Sequence, residues 1–144
     1  MPERSVLLEL HNANQLVGAL VSRRMLEAGV APNLFAVLSL IDLHQPVTPT
    51  ALATEGGYKP TTVRDMVSEL VERGLVRRVE NADDRRSHFL ELTPEGERLI
   101  DSARPVLAAV EAELERELGT KLDSLRGPLA ELLRASRSRL GSGG

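Results

Sequence analysis

The sequence predicts a mainly α-helical fold carrying one small β-wing, and three observations lead to that expectation. Residues 51–96 read ALATEGGYKPTTVRDMVSELVERGLVRRVENADDRRSHFLELTPEG: a short helix, a Gly-Gly turn, an amphipathic helix, and two strands around a charged loop. Apolar residues recur at helical spacing on both sides of this segment. Aromatics are nearly absent (Phe35, Tyr58 and Phe89), so Leu, Val and Ala must build the core. That order of elements describes a winged helix-turn-helix, a device that offers one helix to the DNA major groove with a basic loop beside it.

Each element follows from local chemistry. Residues 5–28 lack proline and repeat Leu10, Ala13, Val17, Leu20 and Met25 along a helix, with Gly29 where a C-cap would sit. Residues 34–44 are apolar almost all round (Leu34, Phe35, Val37, Leu38, Leu40, Ile41, Leu43), which belongs in the middle of a domain; Pro46 ends the run. Thr48 offers an N-cap with Pro49 at the first helical position, launching a short helix to 55. Gly56-Gly57 permits a sharp change of direction. The next helix starts at Pro60, gathers Val63, Met66, Val67, Leu70 and Val71 on one stripe, and closes at Gly74.

Residues 76–80 and 87–92 can pair as strands around the loop 81–86. Thr93-Pro94 repeats the cap-then-proline signal and starts a long helix to 118, with Leu99, Ala103, Val106, Val110, Leu114 and Leu118 apolar and a kink expected at Pro105. Thr120 is expected to cap a last stretch, 122–140, interrupted at Gly127-Pro128, and 141–144 reads as a flexible tail.

With 144 residues the chain is long enough for one domain with a real core. A reading head of 34–94 cannot cover the stripes of 5–28 and 95–140, so these outer helices are expected to pack together and against a second copy. The formal charge of −3, from 18 basic and 21 acidic residues, argues against indiscriminate coating of nucleic acid but allows a locally basic reading surface. Residues 59–88 carry seven basic to six acidic groups, and 95–123 carry eight acidic to four basic, so the acidic excess lies away from that surface. Absence of cysteine excludes disulfides, thiolate metal sites and a thiol switch. There is no signal-peptide pattern and no apolar run near the ~20 residues needed to span a bilayer, so a cytoplasmic location is expected.

The layout resembles the MarR family (multiple antibiotic resistance regulators) over about residues 5–140. The matching segments are PNLFAVLSLI, then ALATEGGYKPTTVRDMVSELVERGLVRR, then DDRRSHFLELTPEG; the Asp-x-Arg-Ser wing followed by a strand and Leu-Thr-x-x-Gly is the most specific. The resemblance implies sequence-specific regulators that bind pseudo-palindromic operators in double-stranded DNA as homodimers, usually as repressors. Many of them release DNA on binding a small, often aromatic and anionic, effector between the dimerisation and DNA-binding lobes, which for this chain leaves a pocket between the first two helices and the reading head, or no ligand at all. Two departures stand out: position 56, usually a large aliphatic that packs the turn, is Gly56, and the usual Ser opening the recognition helix is Lys59.

Thr61, Thr62, Arg64 and Asp65 project from the first turns of that helix, opposite its apolar stripe, where helix-turn-helix side chains meet base edges. Arg64 suits guanine O6 and N7, or a phosphate, and Lys59 suits a phosphate. Arg85 and Arg86 occupy the wing tip. By resemblance, Asp84 orients Arg86, which enters the adjacent minor groove, where a narrow A·T-rich groove favours arginine. Arg77 and Arg78 are expected to brace the wing or touch the DNA backbone, with Arg78 assigned a wing-orienting role beside Asp84. His11 and Gln15 lie on the first helix, which lines the effector pocket in relatives, and are ligand candidates on that ground.

His11, His44 and His88 fall in no metal-ligand spacing. Ser87, His88 and Asp84 are crowded onto one hairpin without a nucleophile elbow or an oxyanion loop, so no enzyme and no cofactor is expected. The competing reading is a winged-helix protein-interaction module without DNA affinity. Such a module has no need of Lys59, Arg64, Arg85 and Arg86.

Overall fold

A computed structural model of the chain describes residues 4–29 and 32–141; of the expected tail, 142–144 lie outside the described residues. The elements run α1 (Val6–Glu27), α2 (Pro32–His44), α3 (Pro49–Gly56), α4 (Pro60–Glu72), β1 (Val76–Glu80), β2 (His88–Leu92), α5 (Pro94–Leu118), a 3-10 turn (Leu122–Leu125) and α6 (Arg126–Gly141). The fold is helical with a two-stranded antiparallel wing, as the sequence predicts.

α2 is the hub. Leu34, Val37, Leu38 and Ile41 are buried, and around them pack Leu52 and Ala53 of α3, Val63, Val67 and Leu70 of α4, Val76 of β1, Leu90 and Leu92 of β2 and Ile100 of α5. This explains a helix apolar on nearly every side: it is flanked by α1, α3, α4, α5 and β2. A second cluster, Met25 and Ala103 with Val21, Val106 and Leu107, joins α1 to α5, and Phe35 packs against both clusters. An ion pair of Arg24 with Glu113 at 2.8 Å and one of Arg104 with Asp42 at 3.3 Å tie α5 to α1 and to α2.

The two cap-then-proline signals behave as physics requires. Thr48 Oγ1 accepts from Ala51 N at 3.1 Å, and Thr93 Oγ1 accepts from Gly96 N at 3.1 Å while donating to the Gly74 carbonyl at 2.6 Å. Thr93 therefore ties the start of α5 to the end of α4. The strands pair Val76 with Leu92 and Glu80 with His88, and Val47 forms an isolated bridge with Leu90 that anchors the α2–α3 connection to the wing.

Several expectations need correction. α2 begins at Pro32 rather than 34, because proline is accepted at a first helical position. Ser87 stays in the loop and β2 starts at His88. Lys121, not Thr120, precedes the last helical stretch, without a side-chain cap, and the stretch opens as a 3-10 turn. Gly127-Pro128 does not interrupt it: both sit in the first turn of α6, where a missing proline N–H costs nothing. The expected kink site, Pro105, lies inside α5, which continues beyond it to Leu118.

Within the chain, α1 packs on α5 and α2, whereas α6 packs on the turn before it. Within one copy the first and last helices border an open cleft of about 550 Å3, lined by Leu10 and Val17 of α1, Leu114 of α5, and Leu125 and Leu129 of the last stretch. Leu7, Leu8 and Leu16 on α1 and Leu129, Leu132 and Leu133 on α6 remain exposed, so these stripes are not covered within one copy. No helix among the described residues is long and apolar enough to cross a membrane.

Candidate nucleic-acid interface

The reading head is assembled from the α3–α4 corner and the wing. Gly57, at φ 69°, is the left-handed C-cap of α3. Two residues on, Lys59 occupies the N-cap of α4 in an extended conformation and makes no side-chain cap bond. The first amides of α4 are therefore not satisfied by a side-chain cap, and the residue at the N-cap is an exposed lysine; both favour an anion at this end of the helix.

The departure at Gly56 has a local explanation. A Cβ built at position 56 would come within 2.5 Å of the Tyr58 ring and 2.8 Å of Leu40 Cδ1. Tyr58 thus takes the volume that a large aliphatic at 56 would fill, packing against the same core. Nothing local in the sequence marks Tyr58 for this role, because the exchange of volume shows only once the turn folds it back.

On α4, Val63, Val67 and Leu70 face the core, while Thr61, Arg64 and Asp65 are exposed and Thr62 is partly so. The outward set is the one the stripe predicts, since residues one and two positions from Val63 must leave the buried face. Arg64 shares a cleft of about 250 Å3 with Arg78 of β1 and His88 of β2, which brings the recognition helix and the base of the wing together.

The wing loop is two consecutive turns, each opened by an Asn or Asp. Asn81 Oδ1 accepts from Asp83 N at 3.1 Å, and its carbonyl accepts from Asp84 N at 3.2 Å. Asp84 repeats the pattern: its Oδ1 accepts from Arg86 N at 3.0 Å and its carbonyl from Ser87 N at 3.1 Å. These side-chain-to-backbone bonds are what make Asx residues turn formers. Asp84 therefore holds Arg86 by its backbone, and the guanidinium is left to face outward. Asn81, only 9% exposed, anchors the first turn.

The cations sort by their partners. Arg77 pairs with Glu91 across the strands at 2.7 Å, in the register that sets 77 opposite 91. Arg77 is thus the residue that braces the two strands; Arg78, assigned a wing-orienting role from sequence, lines the Arg64 cleft instead. Among the described residues no carboxylate lies within ion-pair distance of Lys59, Arg64, Arg78, Arg85 or Arg86, although Asp65, Asp83 and Asp84 are close in sequence. All five side chains are exposed.

His11 and Gln15 are exposed on α1. The α1 residues that line the 550 Å3 cleft are Leu10, Ala13, Asn14 and Val17, so the structure does not bring His11 or Gln15 to it. One helical position decides this: 10, 13, 14 and 17 share a face that 11 and 15 leave. Among the described residues no three His, Asp or Glu side chains converge in a group that could hold a metal ion.

Comparison with known proteins agrees with this geometry. A protein-family model described as the MarR family matches residues 28–87. The HTH-type transcriptional regulator YhbI of Bacillus subtilis is 30% identical over 131 residues, covering 83% of this chain and 84% of that protein. Among solved structures, the M. tuberculosis transcriptional regulator MosR in complex with DNA is similar with a TM-score of 0.76 and 26% identity, over 94% of this chain and 98% of that one. The transcriptional repressor CouR bound to a 23-mer DNA duplex gives a TM-score of 0.73 and 29% identity over 88% of each chain. CouR from Rhodococcus jostii RHA1 bound to p-coumaroyl-CoA gives 0.74 and 25% over 92% of each. With the fold, the capped corner and the Asx-built wing in place, this chain belongs to the MarR family of transcriptional regulators.

Proposed function

We propose that the chain acts as a homodimeric, ligand-responsive repressor that reads a pseudo-palindromic operator in double-stranded DNA. The observation that carries this reading is the set of exposed cations without carboxylate partners at the head of α4 and on the wing: Lys59, Arg64, Arg78, Arg85 and Arg86. That these five cations gather at the head of α4 and on the wing without a carboxylate, in a chain of net charge −3, makes sense if phosphates supply the missing partners. In this reading Lys59 and the first amides of α4 bind a phosphate, and Thr61, Thr62, Arg64 and Asp65 face base edges. Arg86, with Arg85 beside it, enters the minor groove, held by Asp84. The DNA-bound forms of MosR and CouR support it.

The dimer follows from the uncovered Leu residues of α1 and α6. Burying them against a second copy gains ~25 cal/mol per Å2 of apolar area. Light scattering should give about twice the monomer mass of 15.7 kDa.

The effector reading rests on CouR's complex with p-coumaroyl-CoA, and it shifts the pocket from between the first two helices and the reading head to the 550 Å3 cleft among α1, α5 and the last helical stretch. An aromatic carboxylate or similar anion bound there would lower DNA affinity by favouring another spacing of the two recognition helices. Linkage then requires operator DNA to weaken effector binding by the same factor. Catalysis has no place in this reading. Asp84 spends its carboxylate on the Arg86 amide, and neither Ser87 nor His88 shares a side-chain hydrogen bond with it among the described residues. A cytoplasmic location is part of the same proposal.

Selection of bound fragments from genomic DNA, followed by footprinting, tests the reading. The expected result is a protected inverted repeat with half-sites about one helical turn apart. Binding with no sequence preference and no salt dependence would favour the protein-interaction module instead.

A further inference from the structure

Arg137, on the last helix, reaches back 82 positions along the chain to the end of α3. Its Nη2 donates to the Glu55 carbonyl oxygen at 2.7 Å and lies 3.2 Å from the Glu55 carboxylate. The same carboxylate oxygen is 3.9 Å from His44 Nε2 at the end of α2, so three helices meet at Glu55.

The carbonyl contact matters more than the ion pair. The pair is more than a third exposed on both sides, and such pairs are weak. The Glu55 carbonyl, however, belongs to the last turn of α3, where carbonyls have lost their intrahelical donors. The two amides that follow, those of Gly57 and Tyr58, both bond to the Ala53 carbonyl and leave that of Glu55 unserved. Among the described residues no backbone amide reaches it, and the Arg137 guanidinium does, adding a cation at the negative end of the helix. Around this contact α3 and α6 border an open cleft of about 390 Å3, with Ala53 and Tyr58 on one wall and Leu140 on the other, so close packing does not hold the two helices together there.

We propose that Arg137 is a positioning residue for DNA recognition: from the last helix it caps the end of α3 and thereby fixes the corner, residues 57–59, that presents α4. The corner needs such a tie, because its pivot, Gly57, carries the widest backbone freedom of any residue type. Any displacement of α6 is then passed through Glu55 to the first turn of the recognition helix. This inference rests on the proposed DNA-binding function.

The test compares full-length wild type with Arg137→Ala, Arg137→Lys and Glu55→Gln, by hydrogen exchange and by titration of the operator and of a random duplex. Arg137→Ala should speed amide exchange at Tyr58 several-fold, leave the wing amides unchanged, and weaken operator binding up to about fivefold, the scale of a cation lost from a helix C-terminus. Arg137→Lys, which keeps a cationic donor, should recover most of that affinity. Glu55→Gln should stay close to wild type, because the carbonyl survives. A general loss of folding would instead lower the active fraction and speed exchange everywhere, which overturns the positioning role. Unchanged exchange at Tyr58 in Arg137→Ala also overturns it. So does unchanged operator affinity in a wild type that binds its operator. If wild type prefers no duplex, the DNA-binding reading fails and the recognition role falls with it, while exchange still decides whether Arg137 caps α3.

Discussion

The ring of Tyr58 stands in the space that a side chain on Gly56 would occupy, with Cδ2 and Cε2 both 2.5 Å from an ideal Cβ at that position. Two residues thus compete for one volume against Leu40, and the chain has assigned it to the later one. Gly56 has no left-handed φ, so its backbone would accept a larger residue; the Tyr58 ring, and behind it Leu40 Cδ1, forbid it. Gly56→Leu should therefore destabilise by ~1–3 kcal/mol through overpacking. Tyr58→Ala should cost about 2 kcal/mol by leaving a void under a half-buried ring. The double substitution should be more stable than the sum of the two losses, with a coupling of ~0.5–3 kcal/mol. Urea unfolding of the four proteins closes the cycle, and additive losses would refute the exchange of volume.

Gly96 is constrained by backbone, not by a side chain. A Cβ there would lie 2.1 Å from the Leu75 carbonyl oxygen, which already accepts from Thr93 N. Neither the turn after α4 nor the cap of α5 can move without breaking the Thr93 bonds. Gly96→Ala should lower stability by at least ~1–3 kcal/mol despite the higher helix propensity of alanine. A denaturant midpoint at or above that of wild type would show that the α4–β1 connection yields more easily than these bonds imply.

Asp84 and Arg86 can be separated by the choice of substituent. Because Asp84 holds the Arg86 amide rather than its guanidinium, an asparagine oxygen should serve equally well. Asp84→Asn should keep operator affinity near wild type, whereas Asp84→Ala should weaken it in the direction of Arg86→Ala, itself expected to cost ~1–3 kcal/mol. Melting temperatures should hardly move, since the wing tip is exposed. If Asp84→Asn binds as poorly as Arg86→Ala, the carboxylate acts through its charge and not through the turn.

What could be read in the sequence was what local chemistry dictates. Thr48-Pro49 and Thr93-Pro94 announce helix starts because the cap and the proline both lie within four residues of the bond they make. The all-round apolar run of α2 marks the centre of the core, and the alternation of α4 separates Val63 and Val67 from Arg64. What stayed hidden depends on contacts between distant segments. Arg137 meets Glu55 across 82 positions, and the choice between Arg77 and Arg78 as the brace depends on a strand register that pairs 77 with 91. An acidic residue opposite one of the two arginines was a usable signal there. Resemblance points to the helix that holds His11 and Gln15 but not to its face, and one helical position separates them from the face that lines the cleft.

Salt dependence offers the widest test of the interface. Each phosphate neutralised by a cation releases condensed counterions, so log K falls against log salt with a slope of about −0.9 per contact. If Lys59 meets a phosphate beside the amides of α4, Lys59→Ala should reduce the slope by about 1 and weaken all duplexes alike. Arg64→Ala should differ in kind: if the guanidinium reads a base, operator binding falls by ~1–3 kcal/mol, random duplex is little affected, and the slope barely changes. Arg77→Ala supplies the control. Its guanidinium is already paired with Glu91 at 2.7 Å, so it should leave the slope intact and cost only a fraction of a kcal/mol in wing stability. Fluorescence anisotropy of operator and random duplexes over a range of salt separates the three behaviours. Equal slopes for wild type and Lys59→Ala would remove Lys59 from the phosphate contacts, and an Arg64→Ala loss shared equally by random DNA would reassign Arg64 to the backbone.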